Sequence, residues 1–301
     1  AVMIPVTVVK NGEGPTALLT GGNHGDEYEG ITALLKLSSS LRAEDVSGRV
    51  IIVPMMNMPA AMAGKRTSPM DGGNLNRSFP GDPDGTVTEK IADYFTRVMT
   101  PMCDVVLDLH SGGRTLDIIP FGASHVLDDP EQQRQALEGA KAFGAPYAMM
   151  MFELDAAALF DTAVESQGKI FVATELGGGG TSTPESLALT ERGVRNFLIH
   201  FGLLQGKVEM PAEPQVYLDM PDASCYVQSE HSGLLELTLA LGDRVEKGQV
   251  IARVYDMTRS GAAPVEYHAG RDGILAARRF PALVNMGDTI AVIADVVDSL
   301  G

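Results

Sequence analysis

Apolar and polar positions follow two rhythms along the first two thirds of the chain. Short, nearly continuous apolar runs at Thr16 to Thr20, Val50 to Pro54, Asp104 to Leu109 and Lys169 to Thr174 predict strands buried on both faces. Between them, Glu29 to Leu41, Thr88 to Met99, Glu131 to Phe143 and Pro184 to Phe201 repeat their apolar residues at the spacing of one helix face. Strands that alternate with helices predict an α/β layer architecture around a mainly parallel sheet.

The rhythm changes after Leu204. Gln205 to Asp222 carries Pro211, Pro214 and Pro221 with little periodicity, which predicts a linker or a crossing strand. Beyond it the pattern is all-β and holds an internal repeat. Gly233-Leu234-Leu235 leading to Lys247-Gly248-Gln249-Val250-Ile251 is echoed by Gly273-Ile274-Leu275 leading to Met286-Gly287-Asp288-Thr289-Ile290. Two similar half-motifs predict two similar β layers, an arrangement that resembles biotinyl/lipoyl-like barrel-sandwich domains. Such a carrier holds a lysine at its hairpin, where this chain has Tyr255-Asp256-Met257-Thr258, so the expected role is a cap. The expected division is an α/β catalytic domain over residues 1–205, then a linker and smaller β-rich capping domain over 206–301.

Composition narrows the function classes. With 301 residues, 45% of them hydrophobic, the chain can bury a large core. A formal charge of -16 argues against nucleic acid or an anionic membrane as the main partner, since both require a basic surface. The two cysteines, Cys103 and Cys225, stand far apart, which predicts no disulfide framework, a core position for Cys103 and a cytoplasmic location. No apolar run reaches the roughly 18 residues of a membrane helix. The chain opens Ala1-Val2-Met3 without an initiator methionine, so a native segment is expected ahead of it.

The unusual residues follow the predicted strands: Gly21-Gly22-Asn23-His24-Gly25-Asp26-Glu27, then His110-Ser111-Gly112-Gly113, then Glu175-Leu176 and the run Gly177 to Gly180. In open α/β sheets, ligands bind beyond the carboxyl ends of the strands, so these segments converge on one crevice. His24, Glu27 and His110 are thereby expected to form a metal site. Two histidines and a carboxylate, leaving a fourth position to water, are the ligand pattern of catalytic rather than structural zinc. Alone, a His-x-x-Glu pair is a weak signal, and a single histidine after a strand is ordinarily a hydrogen-bonded structural residue. The shared sheet edge favours the metal. Asp108, two residues before His110 on one strand, is expected on the same face, orienting a metal ligand or an arginine. His125, His200, His231 and His268 show no partner pattern and read as core or surface residues. Met55-Met56 and Met149 to Met151 read as core or pocket lining.

In order and setting, Asn23 to Glu27, Asn74-Leu75-Asn76-Arg77, Asp108-Leu109-His110 and Glu175-Leu176-Gly177 resemble the motifs of the succinylglutamate desuccinylase/aspartoacylase family, relatives of the zinc carboxypeptidases. The resemblance spans essentially the whole chain and implies one zinc ion on His24, Glu27 and His110. It implies Glu175 as general base and then as the acid that protonates the leaving amine. Arg66 matches the arginine that polarises the acyl carbonyl together with the metal. Asn76 and Arg77 match the clamp on the substrate α-carboxylate, a task suited to a planar guanidinium with parallel donors. The implied reaction is hydrolysis of a small N-acyl amino acid by a protein that the family allows to be a dimer or tetramer.

Within the family, Gly21 to Gly30 and Gly72 to Gly81 most resemble members that deacetylate N-α-acetyl-L-2,4-diaminobutyrate in ectoine breakdown. The free ammonium of that substrate calls for an acidic subsite, for which Asp117, Glu153 and Asp155 are candidates by charge and chain region. The alternatives are aspartoacylase or succinylglutamate desuccinylase activity, a zinc carboxypeptidase using the same metal and clamp, and a non-enzymatic carrier. The ligand types also admit cobalt or manganese.

Overall fold

Burial on both faces is what the central strands achieve in the computed structural model, which describes residues 1–151 and 158–300. The α/β part contains β1 (Thr7–Asn11), β2 (Thr16–Gly21), β3 (Gly48–Val53), β4 (Val105–His110), β5 (Leu116–Ile118), β6 (Phe121–His125), β7 (Tyr147–Met151), β8 (Ile170–Glu175) and β9 (Val216–Asp219). Its helices are α1 (Tyr28–Ser40), α2 (Met58–Ala63), α3 (Val87–Tyr94), α4 (Pro130–Ala142), α5 (Phe160–Glu165) and α6 (Pro184–His200). The strands lie in the order β1-β3-β2-β4-β8-β6-β7-β9. The four strands read from the apolar runs are its contiguous parallel centre, β3-β2-β4-β8. β1 and β6 join antiparallel, so the sheet is mixed.

Alternation along these strands divides the core into two layers. Leu19, Leu107 and Val172 pack with Leu34 of α1, Ala140 of α4 and Phe197 of α6 on one face. Their neighbours Leu18, Val106 and Phe171 pack with Ile91 of α3 and Phe160 of α5 on the other. Caps fix where the helices begin. Thr86 and Glu89 form a reciprocal capping box before α3, Asp129 caps α4, and Thr183 with Ser186 does the same ahead of Pro184 in α6. The helical span expected through Met99 is α3 followed by one wider π turn, Phe95–Met99.

The segment after Leu204 supplies β9, which lies parallel to β7 and antiparallel to the last strand of the chain. The remaining strands are β10 (Tyr226–Gln228), β11 (Gly233–Leu237), β12 (Arg244–Val245), β13 (Val250–Tyr255), β14 (Val265–His268), β15 (Gly273–Arg279), β16 (Leu283–Val284) and β17 (Thr289–Val297). Through β17, β15 and β12 the large sheet continues to 13 strands, while β14-β13-β11-β16 forms a separate four-stranded sheet. The sequence repeat maps onto this pair of layers: β11 and β13 lie in one sheet, β15 and β17 in the other. Each half lends a short strand to its counterpart, β12 pairing with β15 and β16 with β11. Leu235, Ile251, Leu275 and Ile293 fill the space between. No helix among the described residues is long and apolar enough to cross a membrane.

Candidate active site

Past the carboxyl end of β2, the glycine-rich turn carries His24 and Glu27 over the sheet edge. Gly25 is required there: a Cβ would lie 2.0 Å from the Ala60 carbonyl carbon of α2. Glu27 occupies the N-cap of α1 but makes no side-chain cap bond. Its carboxylate instead accepts from Arg66 Nη1 and Ser111 N, each at 3.2 Å. It also faces two imidazoles, with His24 Nδ1 2.8 Å from Oε1 and His110 Nδ1 3.0 Å from Oε2.

The far side of each ring is held by an acceptor. His24 Nε2 lies 3.1 Å from Asn74 Oδ1, and His110 Nε2 lies 2.7 Å from Asp108 Oδ2. Asn74 Oδ1 is identified as the oxygen because it also accepts the Asn76 backbone N–H at 3.0 Å. Asp108 is fully buried and anchored by Thr20 Oγ1 at 2.7 Å and Asn23 Nδ2 at 3.2 Å. Acceptors behind both rings can take the Nε2 protons, which would leave each Nδ1 free to face a metal beside Glu27, the outer-shell arrangement that orients histidine ligands. Asp108 therefore lies where the strand alternation placed it, behind His110.

One donor atom from each of His24, Glu27 and His110 lies within 4.8 Å of the others, so the three could hold a metal ion. Their electrostatics suit one. Burial pushes the Glu27 carboxyl up, but His24 and His110 together overcome it and hold the group well below the usual carboxylate range. For His24 burial prevails over the attraction of Glu27, lowering the imidazole below its ordinary value and favouring the neutral, ligating form. His110 is raised well above its ordinary value despite burial, because Asp108 and Glu27 both face it. An ion bound by these donors would take the place of that proton.

Parallel register sets Glu175 beside His110 on the adjacent strand. Burial pushes its carboxyl up to about 8, with further upward pressure from the Glu27 charge, and its Oε2 has no hydrogen-bond partner among the described residues. The glycine run that follows makes the backbone turn possible. Gly178 has φ +144, and a Cβ there would lie 2.1 Å from the Leu116 carbonyl oxygen.

A pocket of about 550 Å³ brings His24, Glu27, His110, Glu175, Arg66, Asn76 and Arg77 onto one wall system. Arg66 is half exposed and touches Glu27. Asn76 accepts the Phe160 N–H on its Oδ1 at 3.0 Å, which leaves the amide nitrogen as its donor group, and the exposed Arg77 braces Nη1 on the Asn76 carbonyl at 2.6 Å. Met151 lines the pocket, while Met56 and Met149 are core. Cys103 and Cys225 are both buried free thiols.

Asp117 lies elsewhere: its carboxylate is paired with Nε and Nη2 of Arg278 at 3.1 and 2.9 Å. Glu153 and Asp155 lie outside the described residues. His125 is buried on β6 with Nδ1 2.8 Å from Glu165 Oε1. Sequence reasoning missed Asp161, Arg279 and Asp288, which also line the pocket. Arg279 and Asp288, an ion pair at 2.9 Å, come from the distant β region and carry no local signal. The missed role of Asn74 depends on a contact across 50 positions.

Comparison with known proteins gives concordant results. The pattern of the "Succinylglutamate desuccinylase/Aspartoacylase catalytic domain" matches residues 13–201. The N-alpha-acetyl-L-2,4-diaminobutyric acid deacetylase of Halomonas elongata is 86% identical over 301 residues, covering 100% of this chain and 88% of that protein. The product-bound structure of the ectoine utilization protein EutE (DoeB) from Ruegeria pomeroyi is 56% identical with TM-score 0.94, over 98% of this chain and 89% of that one. A succinylglutamate desuccinylase/aspartoacylase structure from Rhodobacter sphaeroides is 39% identical with TM-score 0.93, over 98% and 90% of the two chains. Family pattern, sequence identity and fold thus agree, and the chain belongs to the succinylglutamate desuccinylase/aspartoacylase family.

Proposed function

We propose that the chain hydrolyses N-α-acetyl-L-2,4-diaminobutyrate to acetate and 2,4-diaminobutyrate. The observation that carries the proposal is the meeting of a His/Glu/His donor set, a buried carboxyl and a carboxylate clamp in one pocket. The choice of substrate is supported by the 86% identity to the Halomonas deacetylase.

His24, Glu27 and His110 would hold zinc, which when bound supplies Lewis acidity and lowers the pKa of water to about 7. Asn76 and Arg77 grip the α-carboxylate, the guanidinium through parallel donors and the amide through its nitrogen. Arg66 polarises the acyl oxygen and stabilises the charge that develops on it. Glu175 takes a proton from the attacking water, then delivers it to the amide nitrogen as the carbon–nitrogen bond breaks. A carboxyl near neutrality is matched to both transfers.

Residues 1–205 carry these groups in our reading, and 206–301 close the pocket with Arg279, Asp288 and Tyr226. That wall favours a small acyl amino acid over a peptide. The carrier alternative gains nothing from a β region whose hairpin lacks lysine. We place the reaction in the cytoplasm, which suits two free buried thiols. The test is a substrate panel for the zinc-loaded protein: acetyl-diaminobutyrate, acetyl-aspartate, succinyl-glutamate and a short peptide, read as acetate, succinate or terminal residue released. Acetyl-diaminobutyrate should have the highest kcat/KM, and any other order rejects the assignment.

A further inference from the structure

We infer that Arg279 is a specificity-determining residue of the same pocket, a second cationic arm that receives the substrate α-carboxylate together with Asn76 and Arg77, an inference that rests on the diaminobutyrate reading above. Chain order hides it, because Arg279 belongs to β15 in the C-terminal β region. Register brings it in. β15 pairs antiparallel with β5, setting Arg279 against Leu116, and the Leu116 carbonyl accepts the Gly179 N–H at 2.9 Å. Glycine is needed at that junction: a Cβ on Gly179 would lie 2.7 Å from the ring of Phe280, the residue after Arg279. The strand that carries Arg279 is thereby docked on the turn that follows Glu175, the side from which the proposed proton transfer reaches the leaving amine. The amino-acid half of the substrate, with its carboxylate, lies on that side of the bond to be broken.

Arg278 and Arg279 are adjacent but differently used. Arg278 engages Asp117 through both Nε and Nη2, at 3.1 and 2.9 Å, and the described residues lining the pocket include Arg279 but not Arg278. The Arg279 side chain is 13% exposed, meets Asp288 with Nη2 2.9 Å from Oδ2, and leaves a buried Nε with no hydrogen-bond partner. A guanidinium carries five N–H donors in a rigid fork, which one ion pair does not occupy. Leaving such donors unmet away from water is costly, so the pocket favours a ligand that brings acceptors. Asp288 is itself fixed. Its Oδ2 accepts the Asn285 N–H at 2.8 Å and its backbone carbonyl accepts the Ser229 N–H at 2.8 Å, which gives the guanidinium beside it a set direction.

Before reaction the substrate offers one full negative charge, its α-carboxylate. The acyl oxygen becomes anionic only in the transition state, where Arg66 and the ion serve it in the reading above. A carboxylate has about four lone-pair positions, room for Asn76, Arg77 and Arg279 together. Arg279 and Asp288 bring opposite charges, so the pair does not exclude a substrate that also carries an ammonium.

The test measures kcat/KM of the zinc-loaded wild type, R279Q and R279K on N-α-acetyl-L-2,4-diaminobutyrate and on N-acetyl-1,3-diaminopropane, which keeps the amide and the ammonium but lacks the carboxylate. Calorimetric Kd values for the products L-2,4-diaminobutyrate and 1,3-diaminopropane give the same comparison without turnover. In R279Q the preference for the carboxylate-bearing member of each pair should fall roughly 10- to 150-fold, mainly through KM, as expected for loss of a charged hydrogen-bond partner. R279K, which keeps the charge but loses the fork, should give an intermediate preference. If R279Q fails to fold, judged by circular dichroism and metal content, the R279K preference decides, and a wild-type value there overturns the inference. An unchanged preference in R279Q, or an equal loss on both members of a pair, also overturns it while leaving the deacetylase reading intact. A wild type that ignores acetyl-diaminobutyrate instead rejects the deacetylase reading, and this inference with it.

Discussion

Replacing Glu175 with glutamine separates proton transfer from everything else in the pocket. The substitution preserves size and leaves His24, Glu27 and His110 intact, so metal content should remain that of wild type. What is lost is a buried carboxyl that burial and the Glu27 charge push up to about 8. A divalent ion held by His24, Glu27 and His110 would add the opposite charge and draw that value down toward the working pH. General acid–base groups of this kind contribute about 10²- to 10⁴-fold, which at about 1.36 kcal/mol per decade is roughly 3 to 5 kcal/mol of barrier. The expected result is a kcat reduced by that factor with KM changed little. Steady-state acetate release, with metal analysis of the same sample, makes the measurement. A loss below tenfold removes Glu175 from the proton path, and loss of the metal would reassign it to ion binding.

Arg77→Lys keeps the charge but not the parallel donors, so KM should rise at least about tenfold with kcat nearly retained; a normal KM contradicts the clamp. Gly25→Ala drives a Cβ to 2.0 Å from the α2 backbone and should destabilise the fold by about 3 kcal/mol or more while lowering metal stoichiometry, as followed by thermal melts and metal analysis. Burial raises the Glu29 carboxyl from 4.5 to about 7. The folded state therefore keeps a proton that the unfolded chain releases, and stability falls as pH rises through that window, by about 3 kcal/mol in all. Glu29→Gln should flatten this slope relative to wild type in melts across the window; parallel curves contradict it.

The sheet centre was legible because β2, β3, β4 and β8 bury both faces and so write continuous apolar runs, and their helices carry capping signals. β6 and β7 were not. Their sequences, Phe121–His125 and Tyr147–Met151, are rich in small and flexible residues, and Gly122 is selected by close approach, its Cβ position lying 2.5 Å from the Ala140 carbonyl oxygen. The site was legible where residues follow strands, since chain direction alone carries His24, His110 and Glu175 to one edge. The surroundings of Asp117 were not, because charge alone makes it an acidic candidate and only the fold reveals its pair with Arg278. Likewise, the outer support of His24 depends on Asn74 folding back across the turn.

The proposed hydrolysis requires a single ion held by His24, Glu27 and His110. Anomalous diffraction at the zinc edge, from crystals of protein purified without chelator, tests it directly. One strong peak in contact with His24 Nδ1, the Glu27 carboxylate and His110 Nδ1 is the expected result. A peak elsewhere, or none at full zinc loading, would contradict it.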